Sequence, residues 1–190
     1  MLNSFKYCWC KYNEFPKEEL LCPVYLDTHF MGDDAIIIKN GQRLCGKGGA
    51  LCNAPILQDK AYFEFVIQQS GKWSVGLSSR NINLNKTPLG NSENWVLKEN
   101  GKIYNNNEIK GILPEVPGEG HIYGISYDHV ELLFYKNGNQ IENLSIKGLK
   151  GILYPLFFVN EGAIIDVHFN NFVFPAPFGY KQIMIEQSLL

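Results

Sequence analysis

The chain has 190 residues, of which 45% are hydrophobic and 19% are charged. It can therefore bury the core of one globular domain, but it is short for two domains of ordinary size. A formal net charge of −2 leaves no basic excess to neutralise a phosphate backbone, so we expect no nucleic-acid partner. No apolar run approaches the roughly 20 residues that span a bilayer.

The first 23 residues lack the alternating pattern of the remaining chain. We expect residues 1–23 to form a flexible N-terminal head and residues 24–190 to form a single domain. The head contains Cys8 and Cys10 beside aromatic and lysine residues. We favour incidental thiols in a loose tail over the alternative, which is S-acylation. Only acylation of these two cysteines would bring the chain to a membrane.

The number and context of the cysteines indicate a reducing compartment. Five is an odd number, and the opening residues lack the long apolar core and small-residue cleavage site of a signal peptide. Free thiols are therefore favoured over a disulfide framework. We expect a cytoplasmic chain that is not secreted, with the nucleus as a second compartment.

Taken in chain order, residues 61–68, 72–79, 130–136 and 163–170 alternate between two sets of side chains. A period of two is typical of strands, in which successive side chains point to opposite faces. One set in each stretch is strongly apolar and is predicted to face a core. The predicted core-facing residues are Ala61, Phe63, Phe65, Ile67, Trp73, Val75, Leu77, Val130, Leu132, Phe134, Ile165, Val167 and Phe169.

Asn-Gly pairs separate segments that could pair as neighbouring strands. They occur at Asn40–Gly41, Asn100–Gly101 and Asn137–Gly138. Tight hairpin turns need positive φ angles, which Asn and Gly tolerate best. Helical periodicity is confined to short stretches. The sequence therefore predicts an all-β fold, a two-sheet antiparallel β-sandwich.

The pair Asp128–His129, with Ser126 nearby, raises the question of a catalytic relay. Neighbouring residues on a strand point to opposite faces, and no G-x-S-x-G nucleophile elbow is present. We therefore interpret the pair as the start of a hairpin strand and expect no enzyme. The glycine-rich stretch at 45–52 lacks P-loop spacing and is interpreted as a bend between strands. The cysteines and histidines lack the spacing of a zinc site, so we expect no metal or cofactor.

Six motifs, in this order and spacing, closely resemble the SPRY (B30.2-type) domain family over roughly residues 60 to 172. They are YFEFVI (62–67), GKWSVGLSS (71–79), NWVLKENGKIYNN (94–106), GISYDHVELLFYKNGNQI (124–141), LYPLFFV (153–159) and IIDVHFN (164–170). The resemblance implies a concanavalin-like jelly roll and no enzymatic activity. It also implies recognition of protein segments by loops at one end of the sandwich.

We expect a monomeric protein-interaction module whose ligand is a protein or peptide. Its surface is predicted to comprise the loops 81–93, 105–111 and 160–162, which are rich in asparagine. Trp95 and Tyr104 flank these loops and would serve as anchors if exposed, although we favour core positions for both. The alternative is a lectin-like carbohydrate-binding protein. The candidate binding residues are Asn83, Asn85, Lys86, Thr87, Trp95, Tyr104, Asn105, Asn106, Asn107, Asn160 and Glu161.

Overall fold

The computed structural model describes residues 24–88 and 93–185. The predicted head, with Cys8 and Cys10, lies outside the described residues. Within them no helix is long and apolar enough to cross a membrane.

The described residues form thirteen strands: β1 (Leu26–Met31), β2 (Asp34–Ile38), β3 (Arg43–Cys52), β4 (Ala61–Gln69), β5 (Lys72–Ser78), β6 (Asn94–Lys98), β7 (Lys102–Asn105), β8 (Glu108–Ile112), β9 (Ile122–Tyr127), β10 (Glu131–Lys136), β11 (Asn139–Lys147), β12 (Tyr154–Asn160) and β13 (Ile164–His168).

The strands form two antiparallel sheets that share β3. The β4 sheet has the order β2-β3-β13-β4-β9-β10-β11, and the β5 sheet has the order β1-β3-β12-β5-β6-β7-β8. Leu44 of β3 pairs with β13, whereas Gly49 of the same strand pairs with β12. Gly46 and Gly48 between them have φ angles of 84° and 139°, which only glycine adopts readily. The glycine-rich stretch is therefore a bend within one strand, and the expected bend between strands is wrong.

The core lies between the two sheets, as the alternation predicted. Trp73 packs edge-on against Phe65, with 5.8 Å between ring centroids. At the far edges β8 and β11 come close, since a Cβ on Gly111 would lie 2.6 Å from Leu144 Cδ1. The sandwich thus nearly closes on itself. Every predicted core-facing residue is buried except Val130, which is 65% exposed because it lies in the turn before β10.

The outer face of the β4 sheet is covered as well. Val173 N donates a hydrogen bond to Glu64 Oε2 (2.7 Å), and Phe174 N donates to Glu64 Oε1 (3.2 Å). Tyr62 meets Phe172 edge-on, with 4.9 Å between ring centroids. Because residues 172–174 cross this face, β4 is buried on both sides.

A second segment covers part of the outer face of the β5 sheet. Ile82 and Leu84 pack there against a small apolar cluster that includes Val96 and Leu156. Gly49 N donates a hydrogen bond of 2.7 Å to Leu84 O. Residues 81–88 are therefore attached to the sheet, and Thr87 of this segment lines the candidate site.

All three Asn-Gly pairs connect consecutive antiparallel strands, as predicted. Only Asn137–Gly138 forms a two-residue turn with positive φ at both residues, 48° and 79°. A second turn of this kind, Asn106–Asn107 with φ angles of 52° and 59°, was not predicted. Asparagine tolerates this conformation better than other residues with a side chain.

Asp128 and His129 lie in the turn between β9 and β10. Asp128 Oδ1 accepts hydrogen bonds from the backbone N–H groups of Val130 (3.1 Å) and Glu131 (2.9 Å). The φ angle of His129 is 65°, and its Nε2 lies 3.0 Å from Gln58 O. The two side chains therefore have separate partners, and each holds part of the turn.

Candidate functional site

A cavity of about 420 Å³ lies on the outer face of the β5 sheet. We call it the Tyr104 groove. Five of the eleven predicted binding residues line it, together with four that were not predicted. The lining residues are Lys72, Thr87, Lys98, Glu99, Asn100, Tyr104, Asn107, Asn160 and Glu161.

Strand pairing explains why these distant residues meet. Lys72 is paired with Asn160 in the β5–β12 ladder, and Lys98 is paired with Ser74 in the β5–β6 ladder. Residues that pair directly point to the same face of a sheet. Tyr104 is paired with Val96 and so lies on this same outer face, at the third strand from Asn160.

The predicted loops do not meet at one end of the sandwich. Asn160 and Glu161 lie at the end of the sheet where β5 begins, but the Asn106–Asn107 turn lies at the other end of β7. Residues 81–88 cross the sheet face instead of extending beyond it. The groove therefore follows the sheet face between the two ends, with Asn107 and Asn160 both among its lining residues.

Two predicted residues hold the 81–88 segment in place. Asn85 Oδ1 accepts a hydrogen bond from Asp33 N (2.7 Å), and Asn85 Nδ2 donates to Asp33 Oδ2 (2.9 Å). Asn83 Oδ1 accepts a hydrogen bond of 3.0 Å from Asn85 N. Lys86, which follows them, is exposed. The hydrogen bonds of Asn83 and Asn85 hold this segment so that Thr87 lies at the groove.

Other predicted residues stabilise the sheet around the groove. Trp95 is 4% exposed and belongs to the main core. Asn105 is buried, and its Nδ2 donates a hydrogen bond of 2.9 Å to Asn94 O. Asn106 is exposed in its turn but does not line the groove. Tyr104 is thus the aromatic side chain that lies within the groove.

The charges in the groove nearly balance. Lys72 Nζ lies 3.6 Å from Glu99 Oε1, and Lys98 Nζ lies 4.7 Å from the centroid of the Tyr104 ring. Asn100 Nδ2 donates to the Tyr104 hydroxyl at 3.3 Å. Glu161 is exposed at the margin. The groove therefore offers an aromatic ring, amide groups and charges of both signs.

The residues that the sequence analysis missed lie at strand ends. Lys72 begins β5, whose core-facing residues were predicted correctly, so the alternation already places Lys72 on the outer face. Lys98 ends β6, for which the sequence analysis predicted no alternation. Glu99 and Asn100 belong to the turn that contains Asn100–Gly101. What the alternation did not show was that this outer face carries a groove.

The residues that line the groove form no pair of nucleophile and oriented base. Within the ranges 24–88 and 93–185, no group of three or more His, Cys, Asp or Glu side chains could hold a metal ion. The chemistry that the groove offers is hydrogen bonding and ion pairing with a bound molecule.

The SPRY domain family model matches residues 60–172, which is more than half of the chain. The chain therefore belongs to the SPRY domain family, and the resemblance seen in its motifs is confirmed. SPRY domains are generally protein-interaction modules.

Among individual proteins, the chain is similar to the human SPRY domain-containing protein 7. The two are 44% identical over 169 residues, which cover 87% of this chain and 86% of that protein. The chicken protein of the same name is 42% identical over 187 residues, covering 95% of this chain and 94% of that one.

The predicted fold is also confirmed by a solved structure, the SPRY domain of human HERC1. The TM-score is 0.64 at 19% identity, covering 75% of this chain and 96% of that one. The family match begins at residue 60, yet β3 lies within both sheets. Residues 26–52 are therefore an integral part of the folded domain in this chain.

Proposed function

We propose that this chain is a non-catalytic protein-interaction module that binds an extended peptide segment of a partner in the Tyr104 groove. The main support for the proposal is that five residues predicted to bind a ligand line this one groove. The amide groups of Asn100, Asn107 and Asn160 retain capacity to pair with a peptide backbone, and the edge of the Tyr104 ring, whose face lies under Lys98, provides an aromatic contact.

The groove favours a peptide over a sugar. A bound sugar stacks on an exposed aromatic face, but Lys98 Nζ already lies over the Tyr104 ring. The ammonium instead adds a donor for a peptide carbonyl or carboxylate. With one aromatic contact and a nearly neutral lining, we expect micromolar affinity, about −8 kcal/mol.

The test is a selection of peptides from a displayed random library on the full chain, followed by calorimetric titration. Tyr104→Ala should weaken binding by about tenfold or more, since aromatic contacts dominate such interfaces. Glu161→Lys should weaken the binding of a positively charged peptide and strengthen the binding of a negatively charged one. Asp59→Lys, a charge reversal at an exposed position outside the groove, is the matched control and should bind as the wild type does.

Two results would contradict the proposal. One is a set of selected peptides that bind Tyr104→Ala and wild type equally well. The other comes from a glycan array run in parallel. Glycan binding stronger than any peptide binding, and lost in Tyr104→Ala, would establish the lectin-like alternative at the same groove.

A further inference from the structure

A second cavity lies at the edge of the core, where β9 begins. Its volume is about 330 Å³, and it lies between the β8–β9 connection and β11. We call it the Tyr123 cavity. It shares no residue with the Tyr104 groove. The lining residues are Leu113, Pro114, Glu115, Tyr123, Lys136, Asn139, Gln140, Ile141 and Glu142.

Tyr123 links this cavity to the core. Its side chain is 1% exposed, and its ring stacks on Phe65 with 5.5 Å between centroids. The Tyr123 hydroxyl is buried, and no acceptor among the described protein residues reaches it. A buried hydroxyl without a partner is unfavourable, so an oxygen acceptor placed at this point would be stabilised.

The hydroxyl is a permanent donor at physiological pH. Burial raises the pKa of Tyr123 to about 12, and the negative charge of Glu115 adds to the effect. Tyr123 and Glu115 both line the cavity. A ligand with a carbonyl oxygen can therefore accept this hydrogen bond without any change of protonation.

The charges around the cavity select against an anion. Lys136 is paired with Tyr123 across β9 and β10, so both side chains lie on the core face. Lys136 Nζ lies 2.5 Å from Glu115 Oε1, and Glu142 adds a second carboxylate. With two carboxylates against one ammonium, an anion would meet excess negative charge.

We propose that the Tyr123 cavity is a second binding site, for a small neutral molecule that combines an apolar body with a carbonyl oxygen. Leu113, Pro114 and Ile141 contact the apolar body, and the Tyr123 hydroxyl donates to the carbonyl. The volume lies in the range of small-ligand sites, which occur commonly at the mouths of barrel-like sheets.

The test uses acetophenone as the probe and methyl NMR spectra of the full chain. Ethylbenzene is the matched probe without an acceptor, and benzoate is the anionic probe. Acetophenone should shift the methyl signals of Leu113 and Ile141 and bind more tightly than benzoate. In Tyr123→Phe, the ratio of the ethylbenzene Kd to the acetophenone Kd should fall about fivefold, as expected for one neutral hydrogen bond.

Tyr104→Phe is the matched control, because it removes a tyrosine hydroxyl from the other cavity and should leave that ratio unchanged. Comparing ratios cancels the different hydrophobicity of the two probes. Each of three results would overturn the proposal. They are no shift at Leu113 and Ile141 at saturating acetophenone, an unchanged ratio in Tyr123→Phe, and tighter binding of benzoate.

Discussion

At the scale of single residues, Glu64 is the least expected feature. Its carboxylate is fully buried within β4 and accepts hydrogen bonds from the Tyr62 hydroxyl (3.0 Å) and from two backbone N–H groups of residues 172–174. A buried carboxylate is costly unless hydrogen bonds replace its water. Glu64 therefore serves as the acceptor that attaches the C-terminal segment to the β4 sheet.

Removing that acceptor should destabilise the fold strongly. Glu64→Ala removes the acceptor of the buried Tyr62 hydroxyl and of two part-buried backbone N–H groups, and a buried donor left unsatisfied costs about 1–3 kcal/mol. We expect a loss of about 3 kcal/mol or more in the free energy of unfolding, measured by urea titration. Tyr62→Phe, which removes one donor and leaves the acceptor, should lose less. Equal stability of Glu64→Ala and the wild type would show that residues 172–174 are held by other contacts.

At the scale of elements, the hairpins depend on residues that tolerate positive φ. Gly138, with a φ angle of 79°, is also close to the C-terminal segment. A Cβ at this position would lie 2.7 Å from Phe174 Cδ1. The β10–β11 turn is therefore constrained both by its own backbone and by a neighbour distant in sequence.

Substituting alanine for Gly148 and for Gly138 separates the cost of backbone strain from the cost of contact with Phe174. Gly148 has a φ angle of 82° and has no atom within 4 Å of a built Cβ, so Gly148→Ala should cost about 1 kcal/mol from backbone strain alone. Gly138→Ala has the same strain and also displaces Phe174, so its loss should exceed that of Gly148→Ala by about 1 kcal/mol or more. Thermal and urea unfolding measure both variants, and equal losses would rule out an energetic role for the Phe174 contact.

At the scale of the whole molecule, several buried tyrosines connect stability to alkaline pH. Burial raises the pKa values of Tyr62, Tyr123, Tyr127 and Tyr180, whereas tyrosine in an unfolded chain titrates near about 10. Above that pH the unfolded chain has lost protons that the folded chain keeps. Stability then decreases as pH rises.

The free energy of unfolding should be insensitive to these tyrosines below about pH 10. It should fall as pH rises from there through the raised pKa values. Urea unfolding at constant ionic strength between pH 8 and pH 12 measures the slope. Tyr123→Phe should make the slope shallower, because it removes one of the titrating groups. A stability that stays level or rises over that interval would contradict the raised pKa values.

Much of the fold was predictable because its signals are local. Alternation along β4 and β5 identified Phe63, Phe65 and Trp73 as core residues, since a strand places every second side chain on one face. Asn137–Gly138 identified a tight turn through its own backbone preferences. Val130 was misassigned because its backbone N–H donates to Asp128 Oδ1, which keeps Val130 in the turn before β10.

The candidate site was predictable only in part. Thr87, Tyr104 and Asn160 were chosen for their residue types. The ladders between strands bring Tyr104 and Asn160 to one groove, and the 81–88 segment brings Thr87 there. Asn105 was chosen in the same way, but it is buried and holds the sheet together from within. Trp95 lies in the core, the position that the sequence analysis favoured for it, whereas Tyr104, for which a core position was also favoured, lines the groove. Sequence spacing cannot distinguish these two outcomes, because exposure depends on what packs over each face.

The sequence alone determined which side chains face the core, the antiparallel connections and the family, because each depends on residues that are neighbours along the chain. Tertiary structure decided what covers the outer faces: Glu64 meets residues 172–174, and the segment containing Thr87 crosses the β5 sheet. It also placed Tyr123 beside a cavity at the edge of the core. Contacts between segments far apart in the chain arise only when the sheets assemble, and those contacts produce both cavities.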